Sequence, residues 1–162
     1  MRLARFSVFA IVSALMMPLS AHAGVDWTTC GACGTIDSGS AGIYAYSNHG
    51  LSYNGSQSLA SLEARYDVVD VDGSNSPGWT TLEIGYQGGN LSGVTIEAIL
   101  KSVDPSTQNE VQICSVFSDS THSTRTCTFS GLDFSKYVYY VIVVINRGSG
   151  QEYPELDTLR IY

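Results

Sequence analysis

Beyond residue 40 the chain is a series of short runs rich in Val, Ile, Thr and Tyr, separated by clusters of Gly, Asn, Asp, Ser and Pro. A strand turns alternate side chains to opposite faces, so apolar residues at a period of two predict strands. Leu62, Ala64, Tyr66 and Val68 alternate in this way with Glu63, Arg65 and Asp67, and the expected strand runs over residues 62–71. Leu59, Leu62, Tyr66 and Val69 would also share one stripe of a helix, but the Val pairs and interleaved Asp residues favour the strand. Leu82, Ile84 and Tyr86 mark a second strand over 79–86, and Val94, Ile96, Ala98 and Leu100 a third over 94–101. Shorter ones are expected at 42–47 and 51–53, the latter ending at the turn dipeptide Asn54-Gly55.

Residues 111–118 and 125–130 flank the polar loop Asp119-Ser120-Thr121-His122 and read as a hairpin. The run YVYYVIVVIN at 137–146 is apolar on both faces, as a central strand would be, whereas Asp157 and Arg160 suit an edge position for 156–162. Gln87-Gly88-Gly89-Asn90 and Asp104-Pro105-Ser106-Thr107 supply reversals. About eight antiparallel strands without crossover helices predict an all-β, two-sheet antiparallel sandwich of jelly-roll or Greek-key type, with a closed β-barrel as the alternative.

Residues 1–23 do not belong to this pattern. Arg2 and Arg5, an apolar run from Phe6 to Met17 and the ending Ala21-His22-Ala23 predict a cleavable signal peptide that leaves Gly24–Tyr162 as a single β-sandwich domain. The expected location is periplasmic or secreted. Without Arg2 and Arg5 the chain has six basic residues against fifteen acidic ones, a net charge of −9. That sign argues against nucleic acid, whose phosphates need Lys and Arg, and no stretch is suited to membrane insertion.

Four cysteines in an exported chain predict two disulfides. Cys114 and Cys127 fall opposite each other in the expected hairpin, which leaves Cys30 and Cys33 of the sequence CGAC to close a four-residue ring. Chain entropy assigns that ring about 2 kcal/mol, the 114–127 bridge about 3 and a Cys30–Cys127 bridge nearly 5, so entropy favours the long link and proximity the local ones; the expected pairing is the local one, 30–33 and 114–127. A redox pair would open a helix, whereas CGAC runs into the turn-rich Gly34-Thr-Ile-Asp-Ser-Gly. A zinc site would need a second ligand pair at knuckle spacing, which Cys114 and Cys127 do not provide.

Other chemistry is sparse. His49 and His122 lie in polar loops and read as solvated, and neither G-x-S-x-G nor H-E-x-x-H occurs. Glu83 and Glu97 are candidate carboxylates for a glycan-acting hydrolase if their strands are neighbours across a cleft. Asp67, Asp70, Asp72 and Asn75 make an oxygen-rich turn that would suit calcium, with Asp70, Asp72 and Asn75 as ligands. No other cofactor is expected. Aromatic rings with polar tips favour recognition surfaces, and Trp27, Tyr44, Tyr46 and Tyr53, near loops, are the candidate ligand-binding platform, while Trp79 and residues 137–140 read as core or half-core.

The sequence therefore favours a non-catalytic exported binding or interaction module, with carbohydrate or another envelope or extracellular protein as partner. The alternatives are the glycan-acting hydrolase and a structural or assembly protein of the cell surface, pairing through an exposed edge strand.

Overall fold

The computed structural model describes residues 25–54, 61–88, 94–146 and 153–162. The expected signal segment 1–23, together with Gly55, Gly89 and Asn90 of two expected turns, lies outside the described residues. The strands are β1 (Trp27–Cys30), β2 (Thr35–Ile36), β3 (Tyr44–Tyr46), β4 (Leu51–Tyr53), β5 (Ser61–Val68), β6 (Thr81–Gln87), β7 (Thr95–Val103), β8 (Glu110–Phe117), β9 (Thr124–Thr128), β10 (Val138–Asn146) and β11 (Glu155–Ile161). Two antiparallel sheets pack as a sandwich, one ordered β3-β4-β11-β6-β9 with β1 also paired to β11, the other β2-β5-β10-β7-β8. No closed barrel forms among the described strands.

Alternation decides which side chains fill the space between the sheets. On β5, Leu62, Ala64, Tyr66 and Val68 are buried while Ser61, Glu63, Arg65 and Asp67 are exposed, as the sequence pattern predicts. Leu62, Ile96, Leu100, Val141 and Ile145 from one sheet meet Leu51, Leu82, Ile84, Leu156 and Leu159 from the other. Each such side chain contributes about 1.5–3 kcal/mol when taken fully out of water. Trp79 is buried as expected and meets Phe134 edge-on, with ring centroids 5.9 Å apart. The strand β10 is central, flanked by β5 and β7.

Three expectations about neighbours are corrected. Residues 111–118 and 125–130 are not a hairpin, because β8 pairs with β7 in one sheet and β9 with β6 in the other. At the crossing, the Ser118 amide donates to the Ile96 carbonyl at 2.8 Å and the Tyr86 amide to the Ser123 carbonyl at 2.9 Å, so each flank is claimed by a different sheet. The Cys114–Cys127 disulfide therefore joins the sheets instead of crossing a hairpin. Second, β11 is not an edge, since β4 and β1 line one side of it and β6 the other. Its charged residues face out of the sheet, where Arg160 pairs with Asp26. Third, β6 and β7 lie in different sheets.

Two strands had no sequence signal. Both β1 and β2 are short and are made by their partners: Trp27 falls opposite Ile161, and Thr35 opposite Arg65.

Candidate functional site

Of the four platform candidates, two are core. Trp27 is 5% exposed and Tyr53 1%. Residues paired across an antiparallel ladder share a face, and Trp27 is opposite the buried Ile161, which turns its ring inward. Tyr53 is likewise held inside by β4, one strand from the centre of its sheet. The platform is thereby reduced to Tyr44 and Tyr46 on the edge strand β3, opposite Tyr53 and Leu51. Tyr44 packs partly against the core, whereas Tyr46 is 47% exposed. Their ring centroids are 5.1 Å apart at an interplanar angle of 57°. Partial burial, and then the neighbouring Tyr44, push the Tyr46 hydroxyl above its ordinary range.

The hairpin that carries this pair is fastened by the CGAC ring. Cys30 and Cys33 are bridged around a 3-10 turn, Gly31–Cys33. Its Ala32 amide donates to the His49 carbonyl at 3.0 Å. A Cβ on Gly31 would stand 1.9 Å from the Leu156 carbonyl oxygen, and one on Gly34 would stand 2.4 Å from the Tyr66 ring. The glycines of CGACG thus let the ring seat between β11 and β5, which gives the motif a structural role.

On the outer side of the same hairpin, one ring nitrogen of His49 and one oxygen each from Glu155 and Asp157 lie within 4.8 Å of one another. Glu155 is brought there by its register opposite Ser52, and Ser47 donates to its carboxylate from 108 positions away. No sequence motif spans such a separation, which is why reading along the chain passes over Glu155 and Asp157, while His49 is the exposed loop residue that the sequence predicts.

The calcium candidates have other bonds. Asp70 accepts from the Gly73 amide at 3.1 Å and the Asn75 amide at 2.7 Å, and Asp72 from the Ser74 amide at 2.9 Å. The Ser74 bonds hold the Asp72 carboxyl below its ordinary range. Asn75 has φ of 60° and is exposed. Asp70 and Asp72 serve as acceptors for a tight turn, with Asn75 as its left-handed residue.

Glu83 and Glu97 are not brought together. They lie on the outward faces of opposite sheets, because Glu83 pairs with Arg160 and Thr126 and Glu97 with Val144 and Phe117. Burial alone raises the Glu97 carboxyl, and outward faces of a sandwich point away from each other, so the pair cannot flank one glycosidic bond. His122 is exposed, and its Nδ1 lies 2.8 Å from Asp119 Oδ2.

Two hollows flank β2. One, of about 240 Å³, is lined by Asp37, Ser38, Glu63, Arg65 and Ile142, and the other, of about 250 Å³, by Thr28, Cys33, Arg65 and Tyr66. Both fall below the roughly 300–1,000 Å³ of enclosed small-molecule sites, which turns attention to the surface. Among the described residues, no helix is long and apolar enough to cross a membrane.

No family model matches the chain, and no curated protein does. Solved structures resemble it distantly. The CBM36-1 domain of a multidomain xylanase from the hindgut metagenome of Trinervitermes trinervoides is 13% identical, with a TM-score of 0.47 over 85% of this chain and 97% of that one. The low-affinity xylan-binding module CBM86 from Roseburia intestinalis is 11% identical, with a TM-score of 0.49 over 86% of this chain and 96% of that one.

Proposed function

We propose that this chain is an exported, non-catalytic binding module that takes a neutral carbohydrate on the aromatic edge formed by Tyr44 and Tyr46. The observation that carries the reading is the exposure of Tyr46 beside Tyr44 on an edge strand, where a ring has solvent on one side and a fixed neighbour on the other. Sugar rings present C–H faces that pack on aromatic rings and hydroxyls that bond to polar tips, and two tilted tyrosines 5.1 Å apart offer both. The net charge of −9 without residues 1–23 favours an uncharged ligand over an anionic one. Export is supported by the pairing of all four cysteines, which needs an oxidising compartment, and by the signal pattern at 1–23.

The test is a calorimetric titration with neutral oligosaccharides of several linkages. Tyr46→Ala is expected to weaken binding about tenfold while leaving the melting temperature unchanged, since its ring is outside the core. Unaltered binding in Tyr46→Ala, or no binding by the unmodified chain, would discard this edge as the site. Calcium is tested separately: a Tm raised by millimolar calcium and no longer raised in Asp70→Asn supports the 70–75 turn as its site, and an unchanged Tm discards it.

Val111 and Phe117, 59% and 49% exposed on the edge strand β8, favour a second reading, an assembly protein that adds a strand at that edge. A mass that rises with concentration supports it; a constant monomer mass eliminates it.

A further inference from the structure

The group His49, Glu155 and Asp157 plays no part in an aromatic platform, yet it is built with care. His49 Nε2 stands 3.6 Å from Asp157 Oδ1. That is too long for a hydrogen bond, but close to the ~3.4 Å that separates two ligands of one tetrahedral ion with bonds of about 2.1 Å. Asp157 Oδ1 is buried and has no hydrogen-bond partner, while Oδ2 accepts from Gln87 Nε2 at 3.0 Å. A buried carboxylate oxygen without a donor is costly, and a cation would satisfy it.

Further bonds hold the ligand residues in place. Ser47 donates to Glu155 Oε1, and the Gly50 amide donates to Ser47 Oγ at 2.8 Å, so the carboxylate is oriented through the turn. A Cβ at Gly50 would stand 1.8 Å from that Oε1, so only glycine leaves the carboxylate in place. The Ala32 amide fixes the His49 backbone from the disulfide ring. Metal ligands commonly carry such outer hydrogen bonds, which set their direction.

We propose that His49, Glu155 and Asp157 bind one divalent transition-metal ion of the zinc class. One imidazole and two carboxylates are a nitrogen and oxygen donor set suited to that class, whereas calcium takes oxygen donors only. All four cysteines are bridged, so no thiolate competes for the ion. Three protein donors on one side, with His49 exposed, leave a fourth position open to solvent or to a ligand atom.

The experiment is a zinc chloride titration of the untagged, chelator-treated chain by calorimetry, alongside its melting temperature. One equivalent is expected to bind and to raise Tm. His49→Ala should weaken binding roughly a hundredfold or more and abolish the rise, and Asp157→Asn should do the same. Because His49 is exposed, its replacement leaves the core intact and decides the matter even if Asp157→Asn folds poorly. His122→Ala, at the other described histidine, should bind as the parent chain does. The proposal is overturned by the absence of saturable binding near one equivalent, by undiminished binding in His49→Ala, by loss of binding in His122→Ala, or by equimolar calcium displacing the zinc. Oligosaccharide binding is a separate measurement, so either assignment can fail alone.

Discussion

The Tyr66 hydroxyl donates to the Gly31 carbonyl at 2.5 Å, tying the five-stranded sheet to the disulfide ring that follows β1. Both residues are buried. Tyr66→Phe keeps the ring but removes the donor from a buried acceptor, and is expected to cost about 1–3 kcal/mol in urea denaturation. The pH dependence adds a second readout. Burial, and then Tyr46, raise the Tyr66 hydroxyl well above its ordinary range. Its contribution is therefore complete below about pH 10 and is lost as pH rises further. The stability gap between the parent chain and Tyr66→Phe should narrow in alkali; a constant gap would remove the bond from the account.

Gly31→Ala is expected to be worse than losing the disulfide it sits in. Replacing Cys30 and Cys33 together by Ser gives up about 2 kcal/mol on the chain-entropy model. The added methyl at position 31 would meet the backbone of the central strand β11, which cannot shift without disturbing its ladders. Urea midpoints that rank the two variants the other way would show that the ring is not seated as described.

Replacing Cys114 and Cys127 together should cost more, about 3 kcal/mol, because the closed loop is longer. Peptide mapping without reductant should recover 30–33 and 114–127 links. A Cys30 peptide joined to Cys114 or Cys127 would contradict both rings.

Acid should weaken the loop between β8 and β9. Partial burial pushes the Asp119 carboxyl up, but bonds from the His122 side chain, the Thr121 and His122 amides and Arg125 outweigh it and hold it well below the ordinary carboxylate range. A depressed carboxyl stabilises the fold above its unfolded value, about 3.9, and loses that contribution as pH falls. Asp119→Asn should be less stable than the parent at neutral pH, with the difference shrinking below about pH 4. Equal acid titration curves for the two chains would count against this.

What the sequence revealed and concealed follows from what periodicity encodes. Alternation on β5 told inside from outside residue by residue, because burial of Leu62, Ala64, Tyr66 and Val68 is a property of the strand itself. Pairing is a property of two strands. Nothing in residues 111–130 says that Ser118 bonds to Ile96 while Ser123 bonds to Tyr86, so a local hairpin was the natural reading although the halves belong to different sheets. The cysteine pairing was recovered nonetheless, since 114 and 127 are close either way. The aromatic platform is half legible: ring chemistry marks Tyr44 and Tyr46, but Trp27 and Tyr53 have the same chemistry, and what separates them is strand position, since β4 is covered on both sides while β3, whose tyrosines share its face, is an edge. His49, Glu155 and Asp157 meet only after β4 and β11 have paired.

The position of β11 also sets an order of assembly. It follows every other described strand along the chain, yet β1, β4 and β6 all pair with it. Until it emerges, only the β3–β4 and β6–β9 ladders of the six-stranded sheet have their partners, while all five strands of the other sheet have been made. Such long-range closure is slow. A truncation ahead of residue 155 would thus leave Trp27 of β1 without a ladder and split the six-stranded sheet into separate β3–β4 and β6–β9 pairs.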